Sequence, residues 1–75
     1  MQPVRFSRSA RKHRIGKAHA LHVLNTCEPE RVATDRDEQL VWIGEDDRGV
    51  ELEIVALEKP DCLLVIHVMP THYRR

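Results

Sequence analysis

The chemistry available to this chain is concentrated at its C-terminal end, in His67, His72, Tyr73 and Arg74. His67 is the one polar residue inside the otherwise apolar run 62–69 (CLLVIHVM), where strand alternation places it on a face with Leu63, Val65 and Met69. An imidazole titrates near neutrality and can act as general acid or base, whereas its structural alternative is a buried, hydrogen-bonded ring. Beyond Pro70, THYRR adds a second imidazole, a phenol able to stack on a base and guanidinium groups that grip phosphate bidentately. The N-terminus supplies further cations, Arg8, Arg11, Lys12, Arg14 and Lys17, suited to contacting a phosphate backbone. On a short helix these cations point in several directions, so some of them face water whatever the chain does.

Other constellations carry less. His19 and His22 stand three apart and with His13 suggest metal ligation, but no third ligand falls at a fixed spacing, so no metal site is expected. Glu51, Glu53, Asp46 and Asp47 read as a solvated strand face and a turn. No Gly-rich phosphate loop or nucleophile elbow is present, and no cofactor is implied. Cys27 and Cys62 fit neither a CxxC motif nor a disulfide framework and are read as free thiols.

The elements that must position these residues follow from periodicity. Val4–Phe6 can pair as a short edge strand. Ser7 or Ser9 can cap a brief helix through residues 10–14, which Gly16 ends. Residues 17–26 form a second helix with Ala20, Leu21 and Leu24 as its stripe. After Pro29 the period becomes alternating, with a weaker strand at 31–34, a strand at 39–44, a hairpin turn at EDDRG (45–49), a strand at 50–57, a turn at EKPD and a strand at 62–69. The near-continuous apolarity of this last strand marks it as central. The expected fold is α+β, a single domain over 1–75 with two N-terminal helices packed on a three- to four-stranded antiparallel meander sheet. Seventy-five residues with three aromatics give a small core, so association with a partner or a second copy is expected to add stability.

Charge is polarised along the chain. The first seventeen residues hold six Lys/Arg and no acid, whereas Glu28 to Glu58 hold eleven acids against Arg31, Arg36 and Arg48; the whole sums to zero. Such asymmetry points to a polyanionic partner, RNA or DNA, at the basic end. The N-terminus lacks an apolar signal region and no stretch has eighteen consecutive apolar residues, so a cytoplasmic chain with no membrane partner is expected.

The phrases RKHRI, KAHALHVL, LVWIGEDDRGVELEIVAL and DCLLVIHVMPTHYR together resemble the small toxins of bacterial type II toxin–antitoxin pairs, of the RelE/ParE-like superfamily and BrnT-like. The resemblance implies helices followed by an antiparallel sheet, a cognate antitoxin as partner, and a metal-independent endoribonuclease that cleaves RNA by 2′-hydroxyl attack. It implies that Arg11, Lys12 and Arg14 grip phosphate, that His67, His72 or Tyr73 handle protons and that Arg74 meets the scissile group. The chain is shorter than most members and its acidic stretch from Glu45 to Glu53 is heavy for an RNA-binding sheet. The alternative is a non-catalytic protein-interaction or nucleic-acid-binding domain.

Overall fold

A computed structural model describes residues 3–73. One α-helix, α1 (Lys17–Thr26), packs on a sheet of five strands: β1 (Val4–Phe6), β2 (Glu30–Ala33), β3 (Glu38–Glu45), β4 (Glu51–Glu58) and β5 (Leu63–Pro70). Their spatial order is β1-β5-β4-β3-β2, with β1 parallel to β5 and the other neighbours antiparallel. This corrects the expectation of two helices on a three- to four-stranded antiparallel meander.

The physical reasons are local. Residues 9–11 make only a single 3-10 turn, because Arg14 adopts a left-handed φ of 57° and Gly16 is extended, which interrupts the helical hydrogen-bond ladder before α1. Val4–Phe6 pairs with Leu63–Val65 along the outer edge of the last strand, making the sheet mixed. The central strand is therefore β4, and β5 lies second from the edge.

The face of the sheet toward α1 holds the core. Ala20 and Val23 of the helix meet Leu40 and Trp42 of β3, Leu52, Ile54 and Ala56 of β4, and Val65 and Val68 of β5. The C-terminal end of α1 can sit close to β3 because Gly44 has no Cβ; the Cys27 Sγ occupies the space one would fill. Pro29 follows two residues later and keeps the helix from continuing. In the β3–β4 turn, Asp46 Oδ1 accepts from the Arg48 and Val50 backbone N–H groups at 2.8 and 3.1 Å, and Oδ2 accepts from Arg48 Nε and Nη2 at 3.0 and 2.7 Å. Burial alone pushes this carboxyl up, but Arg48 and the two N–H groups together hold it at about 2. Gly49 completes the turn with a φ of 81° that other residues adopt only with strain.

One irregularity decides the rest. In the β4–β5 ladder Val55 pairs with His67 but Ala56 pairs with Val65, so Ile66 is an extra, bulged residue. The bulge reverses the facing of everything after it. Leu63 and Val65 face the helix, while His67 and Met69 point to the opposite, open face; the expectation that His67 shares a face with Leu63 and Val65 is thus corrected.

Candidate functional site

The Ile66 bulge also anchors the basic N-terminal segment. The Ser7 backbone N–H donates to the Val65 carbonyl at 2.9 Å, and the Ser9 hydroxyl donates to the Ile66 carbonyl at 2.8 Å. Carbonyls at the free edge of β5 thereby gain donors, and Ala10, 2% exposed, pins the 3-10 turn to the core. The chain then runs along the edge of β5 through Lys12, His13 and Arg14.

This path brings His13 to His67. Their ring centroids lie 6.3 Å apart at an interplanar angle of 82°. Tyr73, on the 3-10 turn Thr71–Tyr73 after β5, stands edge-on to His13 at 5.9 Å, and His72 lies 4.7 Å from Tyr73. Behind His67, its Nε2 is 3.2 Å from Oε1 of Glu53. Glu53 is only 7% exposed despite lying on the open face, which corrects its reading as a water-facing strand residue. It is directly opposite Met69 and Ile43 in the two flanking ladders. A carboxylate at one ring nitrogen favours the N–H there and leaves Nδ1 with its lone pair, the arrangement a general base needs.

Of the residues singled out for catalysis, His67, His72 and Tyr73 thus gather in one cluster, and Arg74 lies outside the described residues. Among the proposed RNA-binding cations, Arg8, Arg11, Lys12 and Arg14 are exposed on the segment that carries His13. Lys17 turns elsewhere: its Nζ stands 5.8 Å from the centroid of Phe6, on the helix side of the sheet. Sequence reasoning gave neither His13 nor Glu53 a catalytic role. His13 carried a signal in the RKHR run, but Glu53 became visible only through the ladder that places it beside His67.

The histidines of the helix go their own ways. His19 Nδ1 pairs with Asp47 Oδ1 at 2.5 Å, tying α1 to the β3–β4 turn, and this contact lowers the Asp47 pKa. His19, Asp46 and Asp47 present ligand atoms within 4.8 Å of one another, the one such group among the described residues. Both Asp46 oxygens already accept from Arg48 and the turn backbone, so the group is accounted for by turn chemistry. A shallow hollow lined by Glu28, Glu30, Val41 and Ile43 opens at the β2–β3 side of the open face, two strands or more from the histidines.

Comparison with protein-family models, with curated proteins and with solved structures found no match for this chain. No helix among the described residues is long and apolar enough to cross a membrane.

Proposed function

We propose that the chain is the toxin of a bacterial toxin–antitoxin pair, a metal-independent endoribonuclease whose proton transfers are made by His67 and His13. The observation that carries this reading is the pairing of two imidazoles, one backed by the buried Glu53 carboxylate, beside the exposed cations Arg11, Lys12 and Arg14. It rests on that geometry rather than on the overall fold.

The chemistry balances with those groups alone. His67 Nδ1 takes the proton of a ribose 2′-hydroxyl, the 2′-oxygen attacks the adjacent phosphorus, and the bond from phosphorus to the 5′-oxygen breaks. Protonated His13 then supplies the proton to the departing 5′-oxygen, leaving a 2′,3′-cyclic phosphate and a 5′-hydroxyl end. Lys12 and Arg14, flanking His13, offset charge that builds on the phosphoryl oxygens. Tyr73, 58% exposed, offers a face on which a base can stack.

Purified chain should cleave single-stranded RNA in the presence of a chelator and arrest growth when expressed alone. His13→Ala and His67→Ala should each lower the rate roughly 100- to 10,000-fold, the usual contribution of one general acid or base. Intact RNA after incubation with folded wild type sinks the reading. RNA that is bound with steep salt dependence but left uncut points instead to the non-catalytic nucleic-acid-binding alternative.

A further inference from the structure

The strand β2 lies at one end of the sheet and pairs only with β3, so its other side is a free edge. All four of its residues are exposed, and alternate ones direct their N–H and C=O groups away from the sheet. No turn or loop hydrogen bond among the described residues uses those groups. Free edges are commonly blunted by a charged side chain held over them. Here Arg31, the one cation of the strand, is drawn back across the sheet by Glu38 of β3 and Glu58 of β4, at 2.8 and 3.0 Å, which leaves the edge open.

The hollow lined by Glu28, Glu30, Val41 and Ile43 adjoins this edge. Val41 and the 54% exposed Ile43 supply its apolar surface, and its two carboxylates have no ion-pair partner among the described residues. It encloses about 200 Å³, less than the roughly 300–1,000 Å³ of pockets that bury a small-molecule ligand. That space suits one long side chain, with an aliphatic stem over Val41 and Ile43 and a cationic head between the glutamates.

Register extends the pattern. Glu30 opposite Val41 and Val32 opposite Gln39 share the open face of the sheet. A strand laid along β2 therefore sets one side chain beside Glu30 and another, two residues away, beside Val32, which is 40% exposed. Lys or Arg matches the first position and an aliphatic residue the second. A second copy of β2 brings only Glu30 and Val32 to this face and so no cation for the hollow. Glu45 and Glu51, elsewhere on the same face, favour a basic occupant in the same sense.

We propose that the free edge of β2 receives an extended segment of a partner protein as a sixth strand, with a Lys or Arg of that segment seated between Glu28 and Glu30 and an aliphatic residue two positions away against Val32. Main-chain hydrogen bonds supply the attachment and the alternate side chains the selectivity. The inference is independent of the ribonuclease reading, because β2 lies on the far side of the sheet from β5 and its histidine.

The probe is the acetylated and amidated peptide Thr-Lys-Thr-Val-Thr-Lys-Thr, titrated into the isotopically labelled full chain and followed by NMR. Saturable shifts should appear at the amides of residues 30–33 and at the methyl groups of Val41 and Ile43, while the amides of His13 and His67 stay in place. Glu28→Gln combined with Glu30→Gln, at exposed positions that leave the circular dichroism unchanged, should raise the Kd about threefold or more; Asp61→Asn, exposed in the β4–β5 turn, should leave it alone. A peptide with Glu in place of Lys, or one N-methylated along its backbone, should not bind. Absence of saturable shifts at residues 30–33 overturns the proposal, and so does equal affinity for the N-methylated peptide. A double Gln variant with the wild-type Kd, or equal binding of the Glu peptide, overturns the seating of a cation in the hollow. Shifts of the same amides with protein concentration alone would assign the edge to a second copy and overturn the choice of a partner protein.

Discussion

The two faces of one sheet have been put to opposite uses. Toward α1, Leu52, Ile54, Ala56 and Val65 are completely buried and small residues let the helix approach closely. On the other side Val41, Val55, Leu57 and Leu64 are only half-buried, and Ile43 is mostly exposed, although the residue types are the same. The difference teaches that apolar composition does not say which face makes the core: the helix decides that, and the remaining apolar surface is free for binding. Polar chemistry collects where the closed face cannot use it. Glu53 and His67 sit on the open side, where His67 keeps contact with water while the neighbouring side chains shelter Glu53.

Deletions that probe this contrast should differ by several fold. Ile54→Ala removes a fully buried side chain and should cost about 2–5 kcal/mol of stability, whereas Ile43→Ala in the flanking strand should cost under about 1 kcal/mol; denaturant midpoints of the two variants read the gap directly. Equal losses would mean that the open face is as tightly packed as the closed one.

Asp46→Ala attacks the turn that joins β3 to β4, and so holds both faces in register. It leaves two backbone N–H groups and Arg48 without their acceptor and should cost about 1–3 kcal/mol. The same carboxylate sets an acid limit. Its pKa is about 2 when folded against an ordinary 3.8, so the unfolded chain binds the proton more readily; the stabilisation is complete above the ordinary value and disappears as pH falls through about 2. Thermal melts of Asp46→Asn should lack that component of the acid-induced loss.

Glu53→Gln keeps size and hydrogen-bonding capacity on the open face while removing the carboxylate that orients His67. Stability should change by less than about 1 kcal/mol. RNA cleavage should fall about tenfold or more and its pH profile should move, a change that a purely structural role would not produce. Gly49→Ala should alter stability alone. No atom lies within 4 Å of the added Cβ, so only the backbone conformation is penalised, by about 1 kcal/mol, and the midpoint should shift without any change in cleavage.

Much of the secondary structure was legible. The alternation in QLVWIG and VELEIVAL, separated by EDDRG, marks β3, β4 and their turn, and the residues read as a helix from 17 to 26 are those of α1. The short strand at Val4–Phe6 was also visible, but its partner was not, because parallel pairing with β5 joins segments almost sixty residues apart with no local trace. The expected helix through residues 10–14 failed because the left-handed Arg14 cannot be read from an arginine. Of the candidate site, the C-terminal group His67, His72 and Tyr73 was legible from residue type. The arrival of His13 depends on the Ser7 and Ser9 hydrogen bonds to β5 carbonyls, and these exist only once the sheet has formed.

By itself the sequence determined which segments are strands, that residues 17–26 are helical and where unlike charges are segregated, because hydrophobic period, turn residues and charge are properties of neighbours along the chain. Tertiary structure alone decided which apolar face is covered, that Glu53 is buried, and that His67 faces away from the helix beside His13. The facing of His67 depends on the single extra residue at Ile66, which shifts the pairing of β5 with β4 by one position and sends the later side chains of β5 to the other side of the sheet.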